Sequence, residues 1–163
     1  MRNIQTTNSK ILPHSAMQIW KVITDLSSYS AWWPSSIKIK TLHLSNELIG
    51  SCIEVRPYGG QAFRCEISSI NDSKELTLKY SGIYSGTGKW TISEINGQSC
   101  VTYKIELKIQ STMIRLLSFL LPVASIHSKL MEEVLTGLGQ YLGKLKSTSN
   151  PPSHRIAEKS GSR

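Results

Sequence analysis

The sequence predicts a single α+β domain, an antiparallel sheet of about seven strands covered by one long C-terminal helix, and three observations predict it. A helical pattern near the N-terminus ends abruptly at "AWWP". From Ile37 to Ile109 the apolar period changes to two, interrupted by turn-forming residues. From Ile126 to Leu145 apolar residues return at helical spacing. At 163 residues the chain is one domain's worth, long enough to bury about two-thirds of its unfolded surface around one core.

The opening "RNIQTTNSKIL" is polar and β-branched and suits an edge strand, which "PH" interrupts. A helix follows: Ser15 and Gln18 have capping-box spacing, Ala16, Ile19, Trp20, Ile23 and Ser27 share one stripe, and Lys21, Thr24 and Asp25 are expected to be more exposed. "DLSSYSAWWP" restarts a short helix that Pro34 stops. Six alternating segments come next, "IKIKTLHL", "GSCIEVRPY", "QAFRCEISSI", "ELTLKYS", "GKWTISEI" and "SCVTYKIELKI". The dividers between them are of hairpin length, so the strands form an antiparallel meander. The last strand alternates most cleanly, with Val101, Tyr103, Ile105, Leu107 and Ile109 facing one way. Its cover is the C-terminal helix, whose stripe is Ile126, Leu130, Val134, Leu138, Tyr141 and Leu145. The domain is expected over residues 1–146, and 147–163, without periodicity, is expected as a disordered basic tail.

Lys and Arg outnumber Asp and Glu by 19 to 11, giving +8, yet the charge is scattered. Arg155, Lys159 and Arg163 against Glu158 leave +2 of it in the tail. No basic run interleaved with aromatic residues occurs, so nucleic acid is not expected as a partner. Cys52, Cys65 and Cys100 are far apart and lack a C-x-x-C pair, and the four histidines lack ligand spacing, so neither a metal nor a cofactor is expected. The N-terminus has no apolar signal segment, and the longest uncharged apolar run, Leu116 to Ile126, is about half a bilayer span. A soluble, cytoplasmic protein is the expectation.

The order of strand, two short helices, six-strand meander and long helix resembles the START-like or SRPBCC superfamily. This is the helix-grip fold of birch-pollen-allergen-like proteins, lipid-transfer domains and the polyketide cyclase/dehydrase family. The resemblance is carried by Pro13, by "IWKVITD" with Trp20 and Asp25, by Tyr29, Trp32, Trp33 and Pro34, and by the late hairpin "GTGKWTISEINGQSCVTYKIEL". It runs from about Arg2 to Lys146. It implies a strongly curved sheet gripping the C-terminal helix, with an apolar cavity between them closed at one end by the two short helices. One indole of the "WW" pair would then plug the narrow end while the other covers the sheet edge; both serving as core anchors is the alternative.

If Val101 to Ile109 marks the concave face, the pattern places Ile53, Val55, Phe63, Cys65, Ile67, Leu76, Leu78, Tyr80, Tyr84, Trp90 and Ile92 on it too. From these and the helix stripe, the candidate lining is Trp33, Val55, Phe63, Ile67, Leu78, Tyr80, Tyr84, Trp90, Tyr103, Leu107, Ile126, Leu130 and Val134. The phenols of Tyr80, Tyr84 and Tyr103 are the polar tips able to orient a ligand. No carboxylate pair or nucleophile–histidine set emerges on that face, which leaves a tyrosine, or Arg56 or His127 at the mouth, as the available acid or base. Gly137 weakens the long helix by about 1 kcal/mol relative to alanine, making room either for a ligand or for close packing. The expected function is binding or transport of a small hydrophobic molecule such as a lipid, polyketide or isoprenoid. A polyketide cyclase/dehydratase acting by shaping its substrate is the alternative. The apolar segment Met113 to Ile126 is a further candidate, as a lid, a membrane or carrier contact, an interaction module, or a piece of core.

Overall fold

The protein is described by a computed structural model covering residues 3–57, 60–71, 73–112 and 123–149. Strand β1 (Asn3–Leu12) leads into helix α1 (Ala16–Thr24), a 3₁₀ turn (Leu26–Ser28) and helix α2 (Tyr29–Trp32). Strands β2 (Ile37–His43), β3 (Cys52–Pro57), β4 (Phe63–Asn71), β5 (Glu75–Gly82), β6 (Tyr84–Ile95) and β7 (Gln98–Ile109) follow, then helix α3 (Val123–Ser149). All pairings are antiparallel, in the order β1-β7-β6-β5-β4-β3-β2. Strands β1 and β2, consecutive in sequence, therefore lie at opposite edges, and α1 and α2 carry the chain between them. This is the curved seven-stranded sheet and long helix of the helix-grip α+β fold.

Each boundary has a local cause. The Ser15 Oγ accepts from the Gln18 backbone N–H at 3.3 Å and the Gln18 Oε1 accepts from the Ser15 N–H at 3.0 Å, a complete capping box that starts α1. Thr24 is buried rather than exposed, because its hydroxyl turns back to donate to the Trp20 carbonyl at 2.8 Å and so needs no water. The Tyr29 hydroxyl donates to the Ile23 carbonyl at 2.6 Å, locking α2 onto the end of α1. Between β6 and β7 the two-residue Asn96–Gly97 turn sets the register, pairing Ile95 with Gln98 and Trp90 with Tyr103.

The concave face is apolar along its length, with Ile53, Val55, Cys65, Ile67, Leu76, Leu78, Tyr80, Trp90, Ile92 and alternate residues of β7 from Val101 to Ile109 buried. Burying that face against α1 and α3 is the main source of stability, at roughly 25 cal/mol per Å² of apolar surface removed from water. Helix α3 buries Leu130, Met131, Val134, Leu135, Leu138 and Leu142, a stripe two residues wide. The expected stripe ran too far at both ends: Ile126 and Leu145 are 43% and 46% exposed. A helix of 27 residues is about 40 Å long, and these exposed positions lie toward its two ends. It also continues to Ser149, past the expected domain end at Lys146.

Gly137 answers the question its position raised. A Cβ built there would lie 2.0 Å from the Trp32 carbonyl oxygen, so the glycine permits backbone contact between α3 and α2. Close packing of helix on helix, not on sheet, is its local function. Most of Met113 to Ile126 lies outside the described residues, as does all of the expected tail at 147–163 beyond Ser149.

Candidate functional site: an apolar cavity under the C-terminal helix

Between the sheet and the N-terminal half of α3 lies a cavity of about 160 Å³. Its walls are Trp33 from the joint after α2, Ile37 of β2, Val55 and Pro57 of β3, and Phe63 of β4. Tyr80 of β5, Tyr84 of β6, Leu107 of β7 and Ile126, His127, Leu130 and Met131 of α3 complete them. The aromatic side is ordered by ring contacts. Phe63 stacks on Tyr80 at a centroid distance of 5.4 Å and meets Tyr84 edge-on at 5.2 Å.

Behind that wall is a buried polar contact, in which the Tyr80 and Tyr103 hydroxyls lie 2.5 Å apart. Gly88 of β6 makes the space for it: a Cβ there would sit 2.4 Å from the Tyr103 oxygen and 2.9 Å from the Tyr80 ring. Burial raises the pKa of both phenols, and the proximity of each to the other and to the Cys65 thiol adds to the shift in Tyr80. Burial likewise raises the Cys65 thiol and, more modestly, the Tyr84 phenol. All remain protonated at neutral pH.

His127 is the basic side chain on the wall among the described residues. Desolvation lowers its pKa to about 4, so it is a neutral imidazole at pH 7. The Thr6 hydroxyl of β1 is 3.5 Å from its Nδ1, a long contact at the limit of hydrogen bonding. Next to it, Asn8 of β1 donates from Nδ2 to the Ser128 hydroxyl at 2.9 Å and to the Ser128 carbonyl at 3.2 Å, fastening this part of α3 to the edge strand.

The paired tryptophans divide their work. Trp32 is buried, edge-on to Trp90 at 6.2 Å and to Tyr29 at 4.7 Å, and donates from Nε1 to the Ser28 hydroxyl at 3.2 Å. Trp33 is half-buried, stacks on Tyr29 at 5.5 Å, and its Nε1 is buried without a hydrogen-bond partner among the described residues. It lines the cavity on one side and, on the other, an open groove of about 510 Å³ running past Lys129, Glu132, Glu133, Gln140, Tyr141 and Lys144 of α3.

Of the lining residues expected from sequence, Trp33, Val55, Phe63, Tyr80, Tyr84, Leu107, Ile126 and Leu130 surround this cavity. Ile67, Leu78, Trp90, Tyr103 and Val134 do not; they are fully buried in the packed half of the core, where α1 and Trp32 fill the concavity. Tyr103 still touches the site through Tyr80. Ile37, Pro57 and Met131 are wall residues outside the expected lining, and His127, expected at the mouth, is on the wall. Two of them had a signal: Ile37 begins the alternation of "IKIK", and Met131 stands four residues before Leu135, on the second line of the α3 stripe. Arg56, a candidate at the mouth, is exposed and is not on this wall. Among the described residues no three His, Cys, Asp or Glu side chains gather as a metal would require, and the three cysteines are free thiols.

A curved sheet closed by two short helices and a long one, with an apolar hollow left beneath the long helix, defines a START-like helix-grip domain. The chain belongs to the family described as polyketide cyclase / dehydrase and lipid transport, whose model matches residues 3–143. Among solved structures it resembles a START superfamily protein from Mycobacterium smegmatis, with a TM-score of 0.68 at 13% identity, over 86% of this chain and 98% of that one. It also resembles a Thalictrum flavum norcoclaurine synthase point mutant in complex with a transition-state analogue, with a TM-score of 0.64 at 8% identity, over 89% and 97% of the two chains. The Aha1 dimer from Colwellia psychrerythraea matches with a TM-score of 0.56 at 13% identity, over 85% and 97%. At these identities the likeness is one of fold. No curated protein matches the chain in sequence.

Proposed function

We propose that this protein binds and carries a small hydrophobic molecule in the cavity beneath α3. The observation that carries the reading is a hollow walled mainly by apolar and aromatic side chains beneath α3. Membership of a family described by polyketide cyclisation and lipid transport supports it. Native mass spectrometry of freshly purified protein, followed by solvent extraction, tests it. A retained small molecule that is lost when Leu130→Trp fills the hollow is the expected result; a parent protein that retains nothing and binds no apolar probe saturably ends the reading.

A second reading, an enzyme of the cyclase/dehydratase kind, is favoured by one observation: His127, a half-buried neutral imidazole, shares the cavity wall with the Tyr84 phenol. A neutral imidazole can accept a proton, and a phenol held protonated can donate one. If substrate turnover exists, His127→Gln or Tyr84→Phe lowers it by roughly 10² or more, whereas a carrier keeps its affinity within a few fold. A membrane or carrier contact through Met113 to Ile126 is compatible with either role. No helix among the described residues is long and apolar enough to cross a membrane.

A further inference from the structure

The size and the polar wall of the cavity restrict what it can hold, and the restriction rests on the ligand-binding reading above. Its volume of about 160 Å³ is roughly half the low end of ligand pockets, ~300 Å³. It is close to that of an apolar cavity of about 150 Å³ known to admit benzene in another protein. As bounded by the described residues, that space matches a single ring rather than a lipid tail or a fused polyketide. The wall it would meet is aromatic and already ordered, with Phe63 held between Tyr80 and Tyr84.

The polar groups then choose among one-ring compounds. The Tyr80 hydroxyl is occupied by Tyr103. His127 lies on the wall, with its Nδ1 at the limit of hydrogen bonding to Thr6, and is the imidazole a bound molecule would meet. A neutral imidazole has one donor and one acceptor nitrogen. A ligand hydroxyl both donates and accepts, so it suits either tautomer. A carboxylate would be stripped of water beside a histidine that burial keeps uncharged, and a hydrocarbon would offer the imidazole no partner. We infer that the cavity selects an uncharged, single-ring ligand bearing a hydroxyl group, a simple phenol in chemical class, and that His127 is the residue that holds the hydroxyl.

Calorimetric or NMR titration at pH 7 with phenol, toluene, benzoate and 2-naphthol tests this on the parent, His127→Leu and His127→Gln proteins. Phenol and toluene have nearly the same shape, so their difference reports the hydrogen bond. The expected result is phenol binding at least about fivefold tighter than toluene, with benzoate and naphthol weaker than phenol. His127→Leu removes the preference while keeping toluene affinity, and His127→Gln, which retains a donor and an acceptor, keeps part of it. Equal phenol and toluene affinity in the parent, or a preference that survives His127→Leu, overturns the role of His127 while leaving the cavity reading intact. Tighter binding of benzoate overturns the uncharged class, and tighter binding of naphthol overturns the single ring. If none of the four binds, the inference fails, and native mass spectrometry of the freshly purified protein decides the ligand-binding reading separately.

Discussion

Gly88 lacks a side chain where two others must meet. An added methyl would enter the space of the Tyr103 hydroxyl and the Tyr80 ring, so Gly88→Ala is expected to lower stability by about 1–3 kcal/mol in urea unfolding. It should also part the hydroxyl pair. Gly137→Ala meets backbone instead of a side-chain tip; it should cost at least as much, because a carbonyl cannot swing aside. The buried ionisable residues fix how stability varies with pH. His127 has a folded pKa near 4 against about 6.5 unfolded. The unfolded chain therefore takes up the proton first as pH falls. The stability due to a neutral His127 is complete above pH 6.5 and is lost between there and pH 4, on the order of 3 kcal/mol. His127→Gln should flatten that limb of a stability–pH curve. Tyr29, Tyr80 and Tyr103 act in the opposite direction. Their folded pKa values lie above the ordinary value of 10.0 because they are buried. The unfolded chain loses those protons first, so stability falls as pH rises beyond about 10, which an alkaline denaturation series followed by tyrosinate absorbance would detect.

At the scale of the elements, α3 is held differently along its length. Its middle is fixed by packing, with Val134, Leu135 and Leu138 buried and Gly137 against Trp32. Its N-terminal part, over the cavity, depends on the Asn8–Ser128 hydrogen bonds to β1. Asn8→Ala should raise amide hydrogen exchange in the turns around Ser128 while leaving the middle of α3 protected. Exchange rising uniformly along α3 would show instead that the helix opens as one unit. The strands were readable from sequence because a half-covered sheet imposes a strict period of two, which β7 shows without a break. The ends of α3 were not, since the apolar periodicity continues into positions such as Leu145 that remain about half exposed. The site was only half readable for a related reason. Alternation assigns Trp90 and Tyr84 to the same face, but says nothing about which part of that face is filled by Trp32 and which is left open.

The molecule as a whole has a packed half and a hollow half. Trp20, Trp32 and Trp90, with α1 and the later turns of α3, fill one; the other ends at Trp33 and the first turns of α3. Among the ion pairs, Lys89–Glu75 at 2.8 Å is half-buried, and Lys104–Glu106 at 2.6 Å is exposed to solvent, where such pairs add little. The division of the tryptophans has an optical consequence. Of the four indoles, Trp33 is the one that touches the cavity, and it stands 6.0 Å from Trp32, which is itself 6.2 Å from Trp90. Rings this close share excitation, so light absorbed in the packed half can reach the indole at the edge of the hollow one. Occupancy of the cavity should therefore register in the protein's own fluorescence without any attached dye. A phenol titration is expected to change the emission of the parent and of Trp20→Phe alike. In Trp33→Phe the emission should stay flat, even where calorimetry still detects binding.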